Sequence, residues 1–142
     1  SALDMGCGSG ILALAIAKRW RCWVTASDVD LKAVNVAKRN AITNGERRFV
    51  KILEGRGYHH RSIRYQQFDL ITSNLFARPL AKMSYDLSRC LAPRGTAVLS
   101  GLLASQEAQV LMAYRMQGLR LNRRIKVGGW STLVLRKNAL VN

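Results

Sequence analysis

The 142-residue chain is predicted to fold as one α/β domain, a mostly parallel seven-stranded sheet with helices on both faces and an antiparallel hairpin at its C-terminal end. Three observations carry this. Strand-like and helix-like segments alternate along the chain, which implies parallel strands joined by crossover helices. Glycines at Gly6, Gly8 and Gly10 separate an apolar strand end from an apolar helical run, Ile11 to Ala17. Near the C-terminus, evenly spaced apolar residues flank Gly128-Gly129, a two-residue hairpin turn.

Leu3 to Met5 reads as the end of a first strand. Ser9 or Gly10 caps a helix running to about Trp20, apolar nearly all round until Lys18 and so expected to be well buried. Cys22 to Ser27 is a second strand ending at Asp28, and Asp30 caps a helix from Leu31 to about Thr43. Ala33, Val34, Ala37 and Ala41 share one face of that helix, and Asn44-Gly45 stops it. Phe49 to Leu53 is a third strand, and Gly55 to Gln67 a loop with at most a short helix. Phe68 to Ser73 is a fourth strand, ending at Asn74. Pro79 stands near the start of the next helix, and Leu80, Met83, Leu87, Cys90 and Leu91 recur at helical spacing until Pro93-Arg94-Gly95. Thr96 to Ser100 is a fifth strand and Ser105 to Gln117 a helix. Leu119, Leu121, Ile125 and Val127 mark a half-buried strand, and Trp130 to Leu135 returns antiparallel to it.

Composition narrows the class. Net charge is +15, from 23 Lys and Arg against 8 Asp and Glu, a field that favours polyanions such as RNA or a ribosomal surface. The alternative is a solvated basic surface. Cys7, Cys22 and Cys90 are too widely spaced for a disulfide framework or a zinc site, and a reducing cytoplasm fits them. His59-His60 reads as a surface loop, with no metal expected. The apolar run Ile11 to Ala17 is too short for a bilayer and has no basic segment before it, so neither a membrane partner nor export is expected. Oligomeric state is not legible. The chain opens inside a strand, so a longer protein is expected.

Ligands of such sheets bind at the carboxyl ends of strands. Gly6, Gly8, Gly10, Asp28 and Asn74 all fall at predicted carboxyl ends. Asp28 follows the glycines by about 20 residues, where a carboxylate accepts both ribose hydroxyls of a nucleoside. Two cofactor classes compete. Gly8-x-Gly10-x-x-Ala13 meets a relaxed dinucleotide pattern, whereas Asp4 would repel a pyrophosphate and welcome an ammonium and a sulfonium. Asp4 as a buried structural carboxylate is the other reading. Asn74 with a neighbouring carbonyl can accept hydrogens from a substrate amine, or can merely cap the next helix.

The segments Asp4-x-Gly6-x-Gly8-x-Gly10, Ser27-Asp28-Val29-Asp30 and Asn40-Ala41-x-x-Asn44-Gly45 resemble the class I S-adenosylmethionine-dependent methyltransferases. Ser73 to Leu80, Leu99 to Gln106 and Gly129 to Leu133 narrow the resemblance to the PrmA family, methyltransferases of ribosomal protein eleven of the large subunit. The resemblance spans about Ser1 to Lys137 and implies a Rossmann-like class I methyltransferase fold with S-adenosyl-L-methionine as cofactor. It implies that Gly6, Asp28 and Asn74 contact the cofactor, Asp28 at its ribose, that Gly8 and Gly10 shape the loop, and that Asp4 belongs to the same site. The resemblance also implies that Asn74 is the catalytic position, near the reacting methyl. The implied reaction methylates lysine and N-terminal amines of a large-subunit ribosomal protein; contact with ribosomal RNA through the basic surface is expected from the charge alone, which is higher than the family leads one to expect.

Methylation of an RNA base amine, or RNA binding without activity, are the alternatives. The family's N-terminal recognition domain, its linker and the helix before the first strand have no counterpart in residues 1–142. That predicts a partly bare sheet face and weak turnover. Phe76 and Gly129 stand where Leu and Glu are expected.

Overall fold

Period-two and period-3.6 segments alternate as expected. The computed structural model describes residues 1–139, so residues 140–142 of the expected domain lie outside it. The elements are β1 (Ala2–Met5), α1 (Ile11–Trp20), β2 (Val24–Asp28), α2 (Leu31–Thr43), β3 (Val50–Glu54), α3 (Arg61–Arg64), β4 (Phe68–Asn74), α4 (Ala77–Lys82), α5 (Ser84–Cys90), β5 (Leu91–Leu103), α6 (Glu107–Arg115), β6 (Leu119–Val127) and β7 (Trp130–Lys137). One seven-stranded sheet runs in the order β3-β2-β1-β4-β5-β7-β6. Among the described residues, β1 to β5 pair in parallel, and β7 runs antiparallel to both β5 and β6. The chain winds outward from β1 to β3, then returns to place β4 on the other side of β1, so the order reverses between β1 and β4. Crevices for ligands open at such reversals.

Side chains alternate across the sheet and divide the core in two. Leu3 and Met5 enter the larger part, with Ile71, Ala97, Leu99, Leu133 and the apolar faces of α3 to α6. Ala2 points the other way, into a smaller part built from Ala13, Ile16 and Ala17 of α1, Ala37 of α2, and Val24, Ala26 and Val50. The α1 side covers β1 to β3 but not β4 and β5. Ile16, Trp20, Leu70, Thr96 and Val98 line an open groove there, where a partly bare face is expected. No helix among the described residues is long and apolar enough to cross a membrane.

Five expectations need correction. First, α1 is not buried all round: its small residues Ala13 and Ala17 pack down, while Ile11 (71% exposed) and Trp20 (59%) meet no covering element. Second, the single helix expected from Pro79 to Leu91 is two, α4 and α5, broken at Met83. The break leaves the Leu80 carbonyl without a helical partner, and the Tyr114 hydroxyl donates to it at 2.9 Å inside the core. Third, β5 starts at Leu91, which pairs with Phe68, and the irregularity at Pro93 to Gly95 lies within the strand instead of before it. Fourth, β6 is buried only at Leu119. It is the sheet edge, and a register shift between Leu121 and Arg123 breaks its alternation, leaving Ile125 and Val127 exposed. Fifth, the helix expected over Ser105 to Gln117 is shorter, α6 preceded by a 3₁₀ turn at Ala104–Gln106. Two short helical turns, Gly57–His59 and α3, occupy the Gly55 to Gln67 loop and bury Tyr58 and Ile63. Gly128 and Gly129 close the final hairpin with φ of 54° and 81°.

Tyr114→Phe should cost roughly 1–3 kcal/mol of stability, because it leaves the buried Leu80 carbonyl unpaired; urea denaturation measures the loss.

Candidate functional site

The turn after β1 is pinned from beneath. Gly6 and Cys7 both donate backbone N–H bonds to the Ser27 carbonyl, at 2.8 and 3.0 Å, and Gly10 donates to Cys7 at 2.8 Å. Gly10 is the N-cap of α1 and has no side chain of its own to offer that helix end. Asp28 reaches across from β2. Its Oδ2 accepts the Gly8 N–H at 2.8 Å and its Oδ1 accepts the Asp30 N–H at 2.9 Å. An ionised carboxylate has about four acceptor sites, so about two on Asp28 stay free for a ligand beside the loop. Val29 is exposed next to it.

Asp4 does something different. It is 1% exposed. Its Oδ2 accepts the Ala13 N–H at 3.1 Å and its Oδ1 accepts the Thr72 hydroxyl at 2.9 Å. The side chain therefore ties β1 to β4 and to the first turn of α1, and stands behind the loop without lining an open cavity. Burial raises its carboxyl to about 6, against the lowering effect of the Thr72 and Ala13 hydrogen bonds. The Cys7 thiol, between the two acids, is pushed up to about 12, chiefly by burial, and stays neutral.

Asn74 ends β4 and is exposed, opposite Ser100 of β5. Leu75 donates its N–H to the Ser100 carbonyl at 3.1 Å. Two glycines make room for this corner. A Cβ on Gly6 would lie 2.7 Å from Leu75 Cδ2, and one on Gly101 would lie 2.7 Å from both Asn74 Oδ1 and the Leu75 carbonyl oxygen. Gly6 (φ 73°) and Gly101 (φ 84°) also hold conformations that other residues resist. Leu75 thus touches the glycine loop on one side, while Gly101 seats Asn74 on the other. A cavity of about 450 Å³ opens on this corner, lined by Asn74, Leu75, Phe76, Ser100, Gly101 and Trp130.

The structure brings Gly6, Gly8, Gly10 and Asp28 into one hydrogen-bonded cradle, with Asn74 beside it through Leu75. Asp4 supports that cradle from inside. Sequence reasoning missed Thr72 as the partner of Asp4 and Gly101 as the seat of Asn74, because both depend on strand register. Tyr58 cannot act as a base here: it is buried, and burial raises its hydroxyl well above the usual tyrosine range. His60 caps α3, its Nδ1 accepting the Ser62 N–H at 3.1 Å.

Comparison with known proteins bears on all of this. The family model described as "Ribosomal protein L11 methyltransferase (PrmA)" matches residues 1–138. Proteins named ribosomal protein L11 methyltransferase are 45% identical over 139 residues in Agrobacterium fabrum, covering 97% of this chain and 48% of that protein. In Rhodopseudomonas palustris the figures are 42% over 138 residues, 96% and 47%. The chain thus spans about half the length of the curated relatives it matches. The crystal structure of a ribosomal protein L11 methylase from Lactobacillus delbrueckii subsp. bulgaricus superposes with a TM-score of 0.89 at 27% identity, covering 96% of this chain and 70% of that one. With its glycine cradle, its Asp28 and its seated Asn74, the chain belongs to the PrmA family of ribosomal protein L11 methyltransferases and has the class I methyltransferase fold.

Proposed function

We propose that residues 1–142 form the catalytic domain of an S-adenosylmethionine-dependent protein methyltransferase, which transfers methyl groups to lysine and N-terminal amines of ribosomal protein L11. Recognition of that protein falls to the part of the relatives that this chain does not span. The reading places the enzyme in the cytoplasm, working close to ribosomal RNA. The observation that carries it is the junction of Asp28, the glycine loop and Asn74 at the β1/β4 reversal.

The residues fit the cofactor. Asp28 keeps acceptor sites for two ribose hydroxyls, and the exposed side chain of Val29 offers apolar surface for a flat base. At Gly8 nothing lies within 4 Å of where a Cβ would stand, so the loop has an open edge. The positive end of the α1 dipole favours a carboxylate, and the buried Asp4 charge favours the cationic end. When bound, the cofactor supplies a methyl already activated by its sulfonium.

The chain's own contribution is positioning. Asn74 has a side-chain oxygen at the cavity, able to accept a hydrogen from an amine and so aim its lone pair. Leu75, Phe76 and Trp130 give the cavity apolar walls suited to a lysine stem. Those walls disfavour the charged ammonium, and among the described residues no titratable side chain lines the cavity, so in this reading the amine's proton leaves to solvent.

Calorimetry should detect S-adenosylmethionine binding, and Asp28→Ala should weaken it on the order of tenfold to a hundredfold, the value of hydrogen bonds to a charged group. In the full-length protein, tritium from labelled cofactor should enter ribosomal protein L11; no heat from the wild type, or label in ribosomal RNA alone, overturns the proposal.

Asp4 supplies a pH test. Its folded-state carboxyl titrates at about 6, above its ordinary value, so the protonated form stabilises the fold and that contribution fades as pH rises through about 6. A cationic ligand prefers the carboxylate, so affinity should rise across the same range and become flat in Asp4→Asn.

Gly101→Ala should displace Asn74. Methyl transfer should fall on the order of a hundredfold, as expected when a reacting group is misplaced by about 1 Å, and calorimetric cofactor affinity should fall much less, because the Asp28 hydrogen bonds to Gly8 and Asp30 stay in place.

A further inference from the structure

Among the described residues, guanidiniums lie over aromatic rings at three places, one each over Tyr65 (Arg64) and Tyr85 (Arg89) and two over Phe49. One group stands at the amino end of the sheet, opposite the cradle. Trp23 precedes β2 and Phe49 precedes β3, and the two segments are joined by the Val24 N–H donated to the Phe49 carbonyl at 2.8 Å. Trp23 is 69% exposed, and its ring lies 6.1 Å from that of Phe49, tilted by 57°. The Phe49 ring carries two guanidiniums, Arg21 at 5.2 Å and Arg48 at 6.0 Å. Arg19 and Arg47 are exposed beside them in sequence.

Among the described residues, neither Arg21 nor Arg48 has a carboxylate partner in a salt bridge, and the one acid nearby in sequence, Glu46, is buried. Arg21 also holds a left-handed backbone, φ 51° and ψ 40°, at the C-terminal cap of α1, where helices favour glycine. The position keeps an arginine against a backbone preference, and that arginine lies over an aromatic ring.

Stacking on Phe49 holds the guanidiniums in place before any ligand arrives. Unpaired guanidiniums beside an exposed indole match the two recognition elements of a single nucleic-acid strand, a phosphate backbone and base faces. A duplex hides those faces. The basic edge of β6 is the natural rival, but two of its cations, Arg124 and Lys126, pair with Glu107, and charged side chains on an edge strand guard it against pairing with other sheets.

We propose that Arg21, Trp23, Arg48 and Phe49 form a platform for single-stranded RNA at the end of the sheet away from the cradle. The choice of RNA over DNA rests on the ribosomal reading above; the platform does not.

Fluorescence anisotropy with a labelled uridine dodecamer, without cofactor, tests it, so its failure is separate from any failure of methyl transfer. RNA should bind the wild-type chain with quenching of Trp fluorescence, more tightly than the matching DNA strand or an RNA duplex. Trp23→Ala should weaken binding on the order of tenfold, the loss of one stacked base. Arg21→Gly with Arg48→Ala should lower the salt slope of log K by about 1.4, about 0.7 per phosphate contact on a single strand. Arg21→Gly alone relieves the left-handed backbone, so its melting temperature should stay level or rise while affinity falls, which separates binding from folding. Arg120→Ala with Arg123→Ala on β6 should weaken RNA much less than Trp23→Ala. The proposal is overturned by a β6 effect larger than the Trp23 effect, by tighter binding of DNA or duplex, or by binding of a polyglutamate peptide without binding of RNA.

Discussion

A buried carboxylate between two strands and a helix holds the rest in place. Asp4 accepts from the Thr72 hydroxyl on β4 and from the Ala13 N–H in the first turn of α1. One side chain thereby sets how β1 lies against β4 and where α1 begins, and so the path of the glycine turn between them. Burial alone would make such a charge unfavourable, and it raises the Asp4 carboxyl to about 6. The two hydrogen bonds offset part of that cost while closing donors that would otherwise be orphaned inside the fold.

The second constraint is close contact between backbone and side chain. Gly6 and Gly101 come from different strand ends, yet both admit the Asn74-Leu75 corner at distances where a Cβ would collide. The glycine loop and the cavity at Asn74 therefore share a wall. Chemistry that depends mainly on geometry needs such coupling, because a loose corner would blur the approach of the amine. Among the described residues, no titratable side chain lines the cavity.

Charge is organised along the same axis. Acidic groups with ligand-facing or supporting roles, Asp4 and Asp28, gather at or behind the carboxyl ends of β1 and β2. Arg21 and Arg48 gather at the amino end around Phe49.

Much of this was legible from the residues. Apolar periodicity, the glycine spacing and the turn residues mark strands, helices and the final hairpin, because each is decided by neighbours within a few positions. Asp28 and Asn74 could be assigned to strand ends for the same reason. The break at Met83 was not legible, since Tyr114 satisfies the Leu80 carbonyl from a distant helix. Nor was the exposure of Ile11 or Val127, which depends on what lies opposite them. The segment motifs carried the family and the cradle. Only the tertiary structure decided strand order, the bond from Thr72 to Asp4 and the seat that Gly101 makes for Asn74, because these pair residues dozens of positions apart whose register no local pattern encodes.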